Sequence, residues 1–189
     1  MRYWVRTVRF PPSDNAMVVE RSDQPAETAT RARAFDFWPF IVAAVVVVID
    51  QITKAMVVRA FGSLNAATPK VIIPHVLDFQ HDENTGAAFS LFQGRSTTLL
   101  LIGVIVIGVL IYYYRALPQG QPALRLAVGG VLGGAVGNII DRVRLGYVTD
   151  WIHITHYPTF NVADSCITIG MVTLAFYLLF MDRSARRDG

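Results

Sequence analysis

The chain has 189 residues, 53% of them hydrophobic and only 16% charged, with a formal net charge of +3. Charged residues usually make up about a quarter of a soluble domain, so the balance is too apolar for an ordinary soluble chain and suits a membrane protein. The basic residues are nearly all arginine and form no stripe with interleaved aromatics, which argues against nucleic-acid binding, and a single cysteine, Cys166, excludes an intramolecular disulfide.

Residues 1–36 carry six arginines, five acids, Pro11, Pro12 and Pro25, with no sustained apolar period. That composition predicts a disordered tail, and it lacks the short apolar core of a cleaved signal peptide. The first apolar segment, residues 37–60, is long enough to cross about 30 Å of hydrocarbon at about 1.5 Å per residue. Its valine run would favour a strand in water, but in lipid every backbone group must be paired within the segment, which demands a helix. Asp50 and Lys54 are spaced i, i+4 and are predicted to pair on the protein-facing side.

Residues 61–95 follow. Pro69 and Pro74 bracket Lys70-Val71-Ile72-Ile73, and Val76-Leu77-Asp78-Phe79-Gln80-His81 has strand-like content, so a small two- or three-stranded element on the water side is expected. The connection ends in Glu83-Asn84-Thr85-Gly86-Ala87-Ala88-Phe89-Ser90, whose small residues let backbone approach a ligand or a helix. The second span, residues 97–114, is uncharged and closes on Tyr112, Tyr113 and Tyr114, an interface signal. The third, residues 124–141, places glycines at 129, 130, 133, 134 and 137, overlapping small-xxx-small pairs for close helix packing. The fourth runs over residues 163–181.

Arginine and lysine placement sets the orientation. The tail, the middle loop and the C-terminus hold Arg21, Arg31, Arg33, Arg115, Arg125, Arg183, Arg186 and Arg187. The opposite side holds Arg59, Lys70, Arg95, Arg142 and Arg144. The larger set marks the cytoplasmic side, so both termini are expected inside and the polar loops outside.

The polar residues between spans three and four exceed what apolar packing explains. Polar groups at membrane depth are costly and usually mark function. Asn138, Asp141 and Arg142 share a helix face; Asn161 and Asp164 share another, with a turn expected at Tyr157-Pro158-Thr159. Asp150 and Asp164 can meet across that turn, and two neighbouring carboxylates that share one proton can act as general base and general acid. The plainer reading makes them interfacial acids, or Asp164 a helix-capping residue. Asp141 and Arg142 read most simply as an ion pair at a helix end. Asn84, Asn138 and Asn161 suit either carboxylate orientation or turns and caps. His75, His81, His153 and His156 lack metal-ligand spacing, so no metal is expected. Cys166 has no histidine beside it to act as base and reads as a packed residue.

Five motifs together resemble lipoprotein signal peptidase, the signal peptidase II family. They are Asp50-Gln51-x-x-Lys54, Asn84-x-Gly86-Ala87-Ala88-Phe89-Ser90, Gly133-Gly134-Ala135-x-Gly137-Asn138-x-x-Asp141-Arg142, Gly146-Tyr147-Val148-x-Asp150 and Phe160-Asn161-x-Ala163-Asp164-Ser165. They occur in order over roughly residues 38–181. The resemblance implies a bacterial membrane aspartic endopeptidase that removes the signal peptide from prolipoproteins, cutting before a diacylglyceryl-modified cysteine. It puts the catalytic pair on Asp150 and Asp164. Asp50, Lys54, Asn84, Gly86, Asn138, Asp141, Arg142 and Asn161 fall on substrate-binding or supporting positions. It also implies no cofactor, membrane lipid and lipid-modified prolipoproteins as partners, and a monomer. The long tail and the histidines His153 and His156 depart from the family's motifs.

The expected fold is therefore an all-α membrane protein. A four-transmembrane-helix bundle over residues 37–182 carries a small extracytoplasmic β element and a short amphipathic stretch near residues 148–154. A disordered cytoplasmic tail (1–36) and a cytoplasmic C-terminal tail (183–189) flank it, with the site near the extracytoplasmic face. Competing classes are a proton-coupled carrier, with Asp50, Lys54, Asp141, Asp150 and Asp164 as a relay, and a membrane scaffold whose glycines only pack helices. Four spans without an internal repeat argue against a typical carrier.

Overall fold

Among the described residues four helices carry the fold: α1 (Trp38–Phe61), α2 (Ser96–Tyr114), α3 (Pro122–Leu145) and α4 (Val162–Phe176), the last continued by a π-helical turn, Tyr177–Met181. The structure, a computed structural model, describes residues 36–62, 68–86, 94–114 and 121–181. The expected tail up to residue 35, the residues Ala87, Ala88, Phe89 and Ser90, the loop arginine Arg115 and residues 182–189 lie outside the described residues. All four helices are long and apolar enough to cross a membrane, the fourth counted through Phe180.

Helix boundaries follow local chemistry. Pro39 and Pro122 lie in first turns, where a missing N–H costs nothing. α3 runs one turn past the expected end at Asp141, so that Asp141 and Arg142 lie within it. It stops at Gly146, whose φ of 84° is left-handed and whose N–H donates to the Arg142 carbonyl.

α3 is the centre of the bundle and packs against α1, α2 and α4. Its glycines explain how. A Cβ at Gly133 would lie 2.6 Å from the Ala43 carbonyl oxygen on α1, and one at Gly134 would lie 2.5 Å from that of Ala163 on α4. Both distances are far inside van der Waals contact, so only glycine admits these backbones, as the small-residue spacing predicted. α2 buries none of its residues. A helix apolar all round that packs on α3 and leaves most of its surface uncovered is suited to lipid.

At the opposite end of α3 from the sheet connection, Asp36 ties helices together. Its carboxylate meets Arg125 Nε at 2.6 Å, and its carbonyl accepts from the Tyr114 hydroxyl at 2.9 Å.

The β element has three antiparallel strands: β1 (Lys70–Ile73), β2 (Leu77–Asn84) and β3 (Val148–Ile154), in the order β1-β2-β3. β1 and β2 lie where Pro69 and Pro74 predicted. The amphipathic stretch expected over residues 148–154 is instead β3. Its β-branched and aromatic content favours a strand, and β2 offers a free edge. Trp151 packs edge-to-face on Phe79 across that pair, ring centroids 5.0 Å apart. The register sets Asn84 opposite Val148 and Asp82 opposite Asp150. The chain reverses over residues 155–157, slightly before the expected turn, with His156 at a φ of 66°. It then returns so that Phe160 exchanges backbone bonds with Ile152, at 2.8 and 3.0 Å. That return delivers Asn161 to the start of α4.

Candidate active site

The ends of α3 and α4, the start of β3 and the middle of α1 converge on one buried polar cluster. Asp50, Lys54, Asn138, Asp141, Thr149, Asp150 and Asn161 are all buried. Lys54 sits at its root. Its ammonium reaches Asp50 Oδ2 and Asp141 Oδ2, each at 2.8 Å, and donates to Asn138 Oδ1 at 3.1 Å. The predicted i, i+4 pair is therefore present, and it is one half of a bridge to α3. A buried ammonium needs that many partners, since an unpaired charge away from water is costly.

Asp141 does not pair with Arg142, contrary to the simplest sequence reading. Consecutive helix residues face different directions. Asp141 turns inward to Lys54 and accepts from Gln51 Nε2 at 3.0 Å and the Thr149 N–H at 3.1 Å. Arg142 turns toward the loop and donates to the Gly86 and Asn138 carbonyls at 3.2 and 3.4 Å. Asp50 Oδ1 meanwhile accepts from the Ala163 N–H at 3.1 Å, which fixes the first turn of α4 against α1.

The three asparagines all address carboxylates. Asn84 Nδ2 donates to Asp150 Oδ2 at 2.9 Å, and Asn161 Nδ2 donates to Asp150 Oδ1 at 2.7 Å. Asn138 Nδ2 donates to Asp164 Oδ1 at 2.7 Å. The plainer reading of Asp164 holds as well. Asn161 is the N-cap of α4 and accepts from the Asp164 N–H at 3.0 Å, while Asp164 Oδ2 accepts from the Asn161 N–H at 3.2 Å, a capping box. Orienting and capping are thus two contacts of the same side chains.

Asp150 and Asp164 open onto one cavity of about 490 Å³, shared with Asn84, Gly86, Asn138 and Arg142. Val148, the chain segment 157–160, Ser165, Ile167, Thr168 and Ile169 complete its wall, which joins the polar cluster to apolar side chains. Burial pushes the Asp150 carboxyl up to about 7, and the charge of Asp164 adds to the rise; the Asn84 and Asn161 donors and the Lys54 charge oppose it. A carboxyl poised near neutrality beside a second carboxylate can hold or release a proton at working pH.

Two residues of the cluster were given no role by sequence reasoning. Gln51 links Asp50, Asp141 and the Gly137 carbonyl, and its amide inside an apolar span beside Asp50 was the available signal. Thr149 contributes only backbone groups, which no sequence signal reveals. Among the described residues no three His, Cys, Asp or Glu side chains are grouped to hold a metal ion. His75 and His156 occupy left-handed turns, and His81 Nδ1 contacts the Gly62 carbonyl at 2.6 Å. Cys166 is half-buried and does not line the cavity.

Residues 42–180 match the family model described as Signal peptidase (SPase) II. The chain is 39% identical over 140 residues to the lipoprotein signal peptidase of Halothermothrix orenii, covering 74% of this chain and 93% of that one. It is 43% identical over 142 residues to that of Dehalococcoides mccartyi, covering 71% and 84%. Its fold is similar to a bacterial membrane enzyme solved by the in meso method at 2.3 Å resolution, with a TM-score of 0.70 and 31% identity over 80% of this chain and 92% of the other.

Proposed function

The chain belongs to the signal peptidase II family, and from that premise we propose that it is an aspartic endopeptidase that removes the signal peptide from diacylglyceryl-modified prolipoproteins, with Asp150 and Asp164 as its catalytic pair. The observation that carries the reading is the pair of carboxylates on one cavity, each oriented by amide donors, with Asp150 pushed up to about 7. Two carboxylates in a low-dielectric cleft hold one proton more easily than none. The ionised partner takes a proton from a water as its oxygen attacks the scissile carbonyl. The protonated partner gives its proton to the carbonyl oxygen, so the tetrahedral intermediate forms without a free oxyanion. On collapse the C–N bond breaks and the leaving amine takes up the proton that came from the water. The remaining hydroxyl proton returns to the pair.

Asp50, Lys54, Asp141 and Gln51 support this site from beneath. Asn84, Asn138 and Asn161 orient the carboxylates, and Arg142 with Gly86 borders the peptide's path. The apolar wall at Ile167 and Ile169 suits the diacylglyceryl chains, which stay in the bilayer. The peptidase domain covers residues 37–182 and acts as a monomer in the bacterial cytoplasmic membrane. Both termini lie in the cytoplasm and the site near the extracytoplasmic face, as the arginine placement favours.

The test is cleavage of a lipidated precursor by the purified full chain in lipid, with the product's new N-terminus read by mass spectrometry. The expected cut falls immediately before the modified cysteine, and the unmodified precursor stays intact. Equal cutting of both precursors would remove the lipid from the reading, and no cutting of either would remove the activity.

A further inference from the structure

The amides around the two carboxylates have no freedom in which way they face, and the reason lies in what they touch on their other side. A lysine ammonium carries donors only, so Asn138 can offer Lys54 nothing but its oxygen, at 3.1 Å. Its NH2 must then face Asp164, at 2.7 Å. The Gly86 N–H likewise claims the Asn84 oxygen at 2.8 Å, turning that amide's NH2 to Asp150. The Asp164 N–H claims the Asn161 oxygen at 3.0 Å, turning its NH2 to Asp150 and to Asn138 Oδ1, at 2.7 and 3.2 Å. Each carboxylate therefore meets donors from the protein on both oxygens. A carboxyl proton finds no protein acceptor among these partners. It can point only to the other carboxylate, to a water or to substrate in the cavity.

Two of the amides are anchored by backbone N–H groups, which no side-chain change removes; the Asn138 oxygen is held by side chains alone, Lys54 at 3.1 Å and Asn161 Nδ2 at 3.2 Å. Of those two donors Lys54 carries the charge, and it does not line the cavity. We propose that Lys54 is a positioning residue for proton transfer: by holding the Asn138 oxygen it keeps that amide's donor on Asp164, and so keeps the pair's proton on the cavity side. The inference rests on the two-carboxylate reading above. Without the lysine, the Asn138 oxygen keeps only the Asn161 NH2, at 3.2 Å, and a protonated Asp164 can compete for it and withdraw the proton from the reaction.

Two effects of Lys54 have to be separated, its donor and its charge. The charged and titratable groups that face it are Asp50 on its own helix, Asp141 on α3, Asp150 on β3 and Asp164 on α4. Lys54→Gln keeps a donor for Asn138 and loses the charge. Lys54→Met loses both, and leaves two buried acids without a cation. Asp50→Asn/Lys54→Met loses the donor with the cluster's net charge unchanged, which protects folding.

The experiment measures kcat, KM and the pH profile of each folded variant in lipid on a lipidated precursor, with thermal midpoints alongside. The Met double variant is expected to lose about 10²-fold in kcat at every pH, the scale of a misplaced reacting group, with KM near that of the parent. Lys54→Gln is expected to lose much less at its optimum. Its acid limb should move to higher pH, because the lysine charge holds Asp150 down. A folded double variant with parental kcat, or a loss confined to KM, overturns the inference. So does a Gln variant as slow as the Met variant. Asp150→Asn and Asp164→Asn, run in parallel, test the underlying reading: activity in either defeats the two-carboxylate mechanism whatever Lys54 does.

Discussion

Replacing Asp150 with asparagine separates what the site needs for chemistry from what it costs the fold. Asp150 has its carboxyl raised from 3.8 to about 7, chiefly by burial. Between those values the folded chain holds a proton that the unfolded chain has released, so stability falls as pH rises through that window. The displacement is about 3 pH units, which at about 1.4 kcal/mol each is about 4 kcal/mol lost by pH 8. The substituted asparagine would not ionise and would escape that loss. It would meet a new one, because Asn84 and Asn161 both point donors at position 150. An asparagine has one oxygen for two such donors, and the clash on its NH2 side costs about 1–3 kcal/mol. The net expectation at pH 8 is a variant about 1–3 kcal/mol more stable than its parent and at least about 10²-fold slower, the low end for acid–base roles. The assay is the thermal midpoint of both proteins in one detergent at pH 5 and pH 8. The parent should lose more stability across that interval than Asp150→Asn. Equal losses would mean that Asp150 does not titrate there, and the argument from burial would fail.

Other expectations follow from single contacts. Gly137→Ala should lower the thermal midpoint by overpacking worth about 1–3 kcal/mol, since its Cβ would lie 2.6 Å from Asp50 Oδ2; an unchanged midpoint would show that α1 and α3 yield there. Asp141→Asn should lose thermal stability and keep more turnover than Asp150→Asn, because it bonds Lys54, Gln51 and Thr149 and does not line the cavity. A folded, inactive Asp141→Asn beside an active Asp150→Asn would move the catalytic pair to Asp141 and Asp164. A cysteine at position 70 should react with an impermeant thiol reagent in intact cells and one at position 30 only after permeabilisation; the reverse pattern would invert the membrane orientation.

The spans were legible because lipid leaves the backbone no choice but a helix, so hydropathy and length suffice. Asp50 and Lys54 were legible as a local pair, and the glycines of α3 as a packing stripe, since both depend on helix spacing alone. What escaped was set by partners far along the chain. Val148–Ile154 becomes a strand because β2, about seventy residues earlier, lies beside it. Asp141 leaves its neighbour Arg142 for Lys54, which only the packing of α3 on α1 brings near. The three asparagines were ambiguous between caps and carboxylate partners, and Asn161 is both, so residue type alone had no single answer to give.

The capping box at the start of α4 has a practical consequence for anyone wishing to capture a bound precursor. Asp164 closes the helix that it also arms, so replacing its carboxylate weakens the bond from the Asn161 N–H and loosens the first turn, while the Asp164 N–H still holds Asn161 toward Asp150. Asp150 ends no helix and is held by a sheet. An inert decoy that keeps the cavity's shape is therefore better made at the strand than at the helix, and complexes trapped on Asp150→Asn would report the resting geometry of substrate more faithfully than those trapped on Asp164→Asn.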